Sequence, residues 1–161
     1  MAGILATAGG LGYAPIAPGT FGSALGVALF VILSALHPLL FALTTATLLA
    51  LGTWAADRAE ILFGQKDDRR IVIDEVVGQL IALAPLLCFA NLGGTRLLAL
   101  LGAGFLLFRL FDIWKPGPVG WAERRFAGGA GVMLDDVAAG ALVALLMTPL
   151  TLFWVTRMAS P

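Results

Sequence analysis

The chain has 161 residues, 60 % of them hydrophobic and 12 % charged, and its ten basic and ten acidic side chains cancel to zero net charge. A soluble domain of this size carries about 25 % charged residues, whereas no Asp, Glu, Lys or Arg precedes Asp57 here and the mean hydropathy is +0.96. A soluble globule is excluded, and the absence of a basic surplus argues against a nucleic-acid partner.

The expectation is an all-α, polytopic membrane bundle forming one domain over residues 1–161. A secretory signal starts with positive charges; the first twenty residues have none and are broken by Gly and Pro, so the N-terminus is expected to be retained. Taken in order, apolar segments cover Thr20–Leu36, Pro38–Ala56, Ile71–Ala90, Thr95–Trp114 and Gly131–Val155. Each approaches or reaches the roughly 17–25 residues that a spanning helix needs. This predicts about five membrane segments, the first short enough to be re-entrant. Pro85 is expected to kink the third, Thr95 to cap the fourth, and Pro116 with Pro118 to stop it. Gly22, Gly26, Gly78, Gly102, Gly104 and Gly140 are expected to let helices approach closely. Cys88, the one cysteine, reads as a small core residue without a disulfide partner.

Loop charge sets the orientation. Arg58, Lys66, Arg69 and Arg70 lie between the second and third segments, and Lys115, Arg124 and Arg125 between the fourth and fifth. With five spans both loops share the cytoplasmic side, placing the N-terminus inside and the C-terminus outside. The Pro/Gly-rich start of the first segment, Asp74 and Glu75, Arg109 and Asp112, and Asp135 and Asp136 then all arrive at one membrane face.

An ionised group in hydrocarbon costs several kcal/mol, so five carboxylates and Arg109 within apolar stretches call for an explanation. Clustered carboxylates repel unless a cation or protons neutralise them. Carboxylate oxygens suit Mg²⁺. Each segment also has a structural reading. Gly12–Ser23 is either a loop whose free N–H groups hold an anion or simply a helix entry. Asp74 and Glu75 are either metal ligands or interfacial ion-pair partners. Arg109 and Asp112, spaced i, i+3, form either a phosphate fork beside a metal ligand or a structural pair. Asp135 and Asp136 follow a glycine run expected to deliver them to a helix mouth, where capping would account for one of them. Asp67 and Asp68 read as a solvated loop, and Trp114 and Trp121 as interface anchors. The sole His37 lies on the opposite face, so His-dependent triads are not supported. HExxH and Cys-x5-Arg patterns are absent.

Four motifs occur in order: APGTFGS, IVIDEVVGQLIAL, FRLFDIWKPGPVGWAERR and GGAGVMLDDVAAG. Together they resemble the phosphatidylglycerophosphatase A family across nearly the whole chain. The resemblance implies a bacterial, multi-pass, Mg²⁺-dependent enzyme of the cytoplasmic membrane that hydrolyses phosphatidylglycerophosphate to phosphatidylglycerol and inorganic phosphate, with its site facing the cytoplasm. It implies catalytic roles for Asp74, Glu75, Arg109, Asp112, Asp135 and Asp136, with all five carboxylates as candidate metal ligands. Asp74, Asp135 and Asp136 are expected to dominate. Pro18, Gly19, Thr20, Ser23, Arg109 and Lys115 are the expected substrate-binding residues. Glu123 stands where the family pattern has Asp. The competing reading is a small ion- or proton-coupled transporter built on the acidic cluster.

Overall fold

Proline decides where three of the helices begin, because its missing N–H is one that the first helical turn leaves without a partner anyway. The computed structural model describes residues 1–88 and 94–156, the side chain of Val155 excepted. Its helices are α1 (Ala2–Ala6), α2 (Pro18–Leu33), α3 (Pro38–Phe63), α4 (Ile73–Leu83), α5 (Gly94–Trp114), α6 (Pro118–Arg125) and α7 (Gly128–Thr156). Short 3₁₀ segments occupy Ala8–Tyr13 and Ala84–Cys88, and there is no strand among the described residues.

Three helices, Pro38–Phe63, Gly94–Trp114 and Gly128–Trp154, are long and apolar enough to cross a membrane. The expected count of five does not follow from length. α4 has 11 residues, about 16 Å of helix against a hydrocarbon core of about 30 Å. α2, with 16 residues, is also short. The third predicted segment fails as a continuous helix where Pro85 lies, since the chain turns 3₁₀ at Ala84; its last two residues, 89 and 90, lie outside the described set. α3 exceeds its predicted end by seven residues, so Asp57, Arg58 and Glu60 are helical rather than in a loop. α5 starts at Gly94, one residue ahead of the Thr95 expected as its cap, and ends at Trp114 before Pro116 as expected. Cys88 is exposed, not a core residue.

The outer faces are apolar, as lipid requires. Leu106, Ile113 and Leu145 are about two-thirds or more exposed, and Trp114 and Trp121 also point outward. α4 is the helix that the others surround. It packs against α2, α3, α5 and α7, and Ile73, Asp74, Val76, Val77, Gly78, Gln79, Leu80, Ala82 and Leu83 are all buried. One apolar cluster joins Phe30, Phe41, Leu80, Leu83, Phe108 and Met147. A second joins Ala55, Ala59, Ile73, Val76, Val132 and Met133.

Small residues make this burial possible. A Cβ on Gly78 would lie 2.6 Å from the Phe108 ring and 2.7 Å from the Asp136 carbonyl oxygen. Gly140 faces the Gly78 carbonyl in the same seam, and Gly22 and Gly26 let α2 lie against Val72, Glu75 and Gln79. Gly102 departs from expectation, since nothing lies within 4 Å of its Cβ position. The glycine run before Asp135 is not a flexible mouth either. It is the first turn of α7, and Gly129 is pressed against the backbone of Thr53 and Asp57 on α3.

Between α3 and α4 the chain is anchored, not solvated as Asp68 was expected to be. Asp68 is 4 % exposed. It accepts from Arg70 Nε and Nη2, each at 2.7 Å, and from the Arg70 backbone N–H at 2.9 Å. Val72 N–H donates to the Ala6 carbonyl at 2.9 Å, tying α1 to this turn. The hydrogen bonds from Arg70 hold the Asp68 carboxyl below its usual range.

Gly78→Ala should cost about 1–3 kcal/mol through overpacking, lowering the melting temperature in detergent, while Gly102→Ala should change it little. Asp68 has a depressed folded pKa, so its contribution is present above the unfolded value and disappears as pH falls through the folded one. Asp68→Asn should therefore lower the melting temperature at pH 7. The gap from the parent protein should close as the pH is taken below the ordinary Asp value of 3.8.

Candidate active site

The first turn of α4 carries Asp74 and Glu75, and its close seam with α7 brings Asp136 to them. One carboxylate oxygen from each of Asp74, Glu75 and Asp136 lies within 4.8 Å of the others. Asp135 and Asp136 sit about two turns inside α7, which starts at Gly128. Helix-end effects fade within the first turn, so capping does not account for them.

Arg109 enters this cluster from the last turns of α5. Its Nη1 is hydrogen-bonded to Asp112 Oδ2, lies 3.9 Å from Glu75 Oε1, and donates to Ser23 Oγ at 3.5 Å. Ser23 in turn donates to the Gly19 carbonyl at 3.1 Å. Gly19 is in immediate contact with this group: a Cβ there would collide with Glu75 Oε1 and lie 3.1 Å from Arg109 Nη1. The amino end of α2 therefore lies beside the carboxylates. Pro18 is in its first turn, behind Ala17 in a left-handed conformation. Thr20 N–H donates to the Ala17 carbonyl at 2.9 Å, so this N–H is already used within the turn.

Lys115 and Asp135 form a second polar group beside the first. Lys115 Nζ donates to Glu123 Oε1 at 2.7 Å and to Asp135 Oδ2 at 2.8 Å. Its backbone has φ +49°, a region costly for a side-chain-bearing residue, and the two ion pairs hold it there. Burial works against the ammonium, but the hydrogen bonds to Asp135 and Glu123 outweigh it and raise the Lys115 pKa. A pocket of about 240 Å³ opens next to Asp135 and Glu123, with Lys66 and Phe126 on its walls.

The structure thus brings all five predicted carboxylates, Arg109, Lys115, Gly19 and Ser23 into one region, but divides them. Asp74, Glu75 and Asp136 form the tight cluster; Asp112 is engaged by Arg109 while also lying against Asp136, and Asp135 is engaged by Lys115. Sequence reasoning missed Glu123 as the second partner of Lys115, though its position eight residues on, across the Pro116–Pro118 corner, was a usable signal. It also assigned nothing to Asp57, whose Oδ1 accepts from Gly129 N–H at 3.4 Å.

Three carboxylates at 4.8 Å separation repel by about 3–4 kcal/mol per ionised pair at an effective dielectric constant of 20. Moreover, Asp74 Oδ1, Glu75 Oε2 and Asp136 Oδ2 are buried without a hydrogen-bond partner. A divalent cation answers both demands, and an all-oxygen donor set is the one a hard ion such as Mg²⁺ takes. The residues fit such an ion. Arg109 Nε is likewise buried without a partner, leaving the guanidinium a donor for an anionic oxygen.

Similarity to known proteins identifies the family. The phosphatidylglycerophosphatase A family profile matches residues 4–151. Phosphatidylglycerophosphatase A of Escherichia coli K12 is 33 % identical over 88 % of this chain and 78 % of its own length. The Haemophilus influenzae protein of the same name is 37 % identical over 94 % of this chain and 89 % of its own. A Bacteroides thetaiotaomicron protein named "Putative phosphatidylinositol-3-phosphatase" is 42 % identical over 85 % of each chain. No solved structure gives a significant match. A family profile matching most of the chain and relatives of 33–37 % identity bearing the family's name give one answer: the chain belongs to the phosphatidylglycerophosphatase A family of phosphatases.

Proposed function

We propose that the protein is a Mg²⁺-dependent lipid phosphatase that hydrolyses phosphatidylglycerophosphate to phosphatidylglycerol and inorganic phosphate at the cytoplasmic leaflet of the bacterial inner membrane. The observation that carries the proposal is the buried Asp74–Glu75–Asp136 cluster with Arg109 beside it. The names of the Escherichia and Haemophilus relatives support the substrate.

Asp74, Glu75 and Asp136 would hold the ion. When bound, Mg²⁺ supplies positive charge for the phosphate oxygens and lowers the pKa of a water. The chain's own residues do the rest. Arg109, with Nε unpartnered, binds and orients the scissile phosphate, and Asp112 and Ser23 hold the guanidinium in place. Lys115 adds a charge at the rim and, through its hydrogen bond, holds Asp135 beside the corner between α5 and α6. Gly19 leaves the approach open, since any side chain there would occupy the space between Glu75 and Arg109. The apolar outer faces keep the acyl chains in lipid while the headgroup enters.

The transporter reading requires a site near the bilayer midplane reachable from both sides. Asp112 in the last turn of α5 and Lys115 just beyond it lie at the end of a membrane-length helix rather than at its middle, which favours the phosphatase.

Purified protein given phosphatidylglycerophosphate should release phosphate with Mg²⁺ and not with excess chelator; metal-independent turnover would overturn the assignment. Asp74→Asn, Glu75→Gln and Asp136→Asn should each abolish turnover or sharply raise the Mg²⁺ requirement. Arg109→Lys keeps charge but loses the fork, so kcat/KM should fall by about 10²–10³ with little change in the Mg²⁺ requirement.

α3 separates residue 36 from residue 64 by its 26 residues, about 39 Å. In a Cys88→Ser background, cysteines at Arg69 and Arg124 should react with an impermeant thiol reagent only from the cytoplasmic side. One at Leu36 should react only from outside. Labelling of Arg69→Cys from outside would reverse the orientation.

A further inference from the structure

Gln79 is fully buried, and neither its Oε1 nor its Nε2 has a hydrogen-bond partner. Leaving a buried amide unpaired is costly, and in a bundle surrounded by lipid no bulk solvent is at hand to relieve it. An apolar residue at this core position would avoid that cost. The amide is therefore expected to serve something other than packing.

Its placement shows what. Gln79 follows Glu75 by one turn on α4, and both meet α2 in the same seam. A Cβ on Gly22 would lie 3.3 Å from Glu75 Cβ, and one on Gly26 would lie 2.7 Å from Gln79 Cβ. The two glycines cut a channel for these two side chains. Helical side chains lean toward the amino end of their helix, which carries the Gln79 amide up toward Glu75. Glu75 Oε1 faces Arg109, whereas Oε2 is buried and unpartnered. An unpaired carboxylate oxygen and an unpaired amide thus share one buried seam, one turn apart.

We propose that Gln79 is a positioning residue for the cation site: its amide N–H fixes the free oxygen of Glu75 through a buried bridging water, so that Glu75 is presented to the cation alongside Asp74 and Asp136. Buried polar groups that find no protein partner are commonly satisfied in this way. The proposal rests on the functional reading above, because it assigns Gln79 to the site that reading describes. Groups that orient a metal-binding side chain typically change metal affinity 10–100-fold when removed.

The test is Mn²⁺ binding to the detergent-purified full chain, followed by electron paramagnetic resonance, beside the melting temperature without divalent ions. Gln79→Met matches the side chain's length but removes both polar atoms. Its melting temperature without metal should be maintained or raised, while its Mn²⁺ affinity falls 10–100-fold and the Mg²⁺ concentration for half-maximal activity rises in parallel. Gln79→Glu keeps an acceptor but loses the N–H donor, so it serves as a second variant should Gln79→Met fail to fold. It should fold with weakened Mn²⁺ affinity and a pH profile of binding that differs from the parent's. If the parent binds Mn²⁺ and both variants bind it equally, with the same pH profile, Gln79 only packs and the inference is overturned. If the parent itself binds no Mn²⁺, the functional reading and this inference fall together.

Discussion

Mutual repulsion among Asp74, Glu75 and Asp136 is the constraint around which the bundle is organised. Were all three ionised and uncompensated, carboxylate oxygens held within 4.8 Å inside a lipid-facing bundle would be unfavourable by an amount comparable to the whole stability of a small domain, about 5–15 kcal/mol. The fold maintains them because other parts of the structure leave them no room to separate. α4 is hemmed in by α2, α3, α5 and α7, and the glycine seams leave it little freedom to shift or rotate. The Gly78–Gly140 contact sets the distance between α4 and α7, and hence between Asp74 and Asp136. The Gly22–Gly26 face sets the distance to α2, and hence from Glu75 to Ser23 and Gly19.

The two cations are used differently. Arg109 reaches into the carboxylates with part of its fork occupied and part free, the arrangement expected of a residue that binds an anion without losing its own orientation. Lys115 is tied to Asp135 and Glu123 at the corner between α5 and α6. By engaging Asp135 it removes one carboxylate from the repulsive cluster. Adjacent residues on α7 thereby acquire opposite tasks, Asp136 toward α4 and Asp135 toward Lys115.

Short helices also have a physical role. α4 and the 3₁₀ turn after it do not need to cross the bilayer as one continuous helix, because three other helices have that length. A short central helix places its amino end, with Asp74 and Glu75, where α5 ends and where α7 has completed two turns. The carboxylates consequently form a layer near one end of the bundle.

Much of this was legible in the sequence. Intramembrane carboxylates are costly enough that their presence alone marked Asp74, Glu75, Asp112, Asp135 and Asp136, and Arg109 beside Asp112 follows from helical spacing. Apolar run lengths and prolines located the start of α3 and both ends of α5 to within a residue, whereas α6 was not foreseen. The rest depended on tertiary contacts. Length and hydropathy cannot tell a buried central helix from a spanning one, because both are rich in apolar residues, so α4 was read as part of a span. Nor could sequence reveal that the glycines before Asp135 are helical, since glycine serves equally for a flexible loop and for a close helix crossing. Above all, five candidate carboxylates look alike along the chain. Only packing decided which three meet, because an ion pair formed across helices, such as Lys115 with Asp135, depends on distances that the order of residues does not contain.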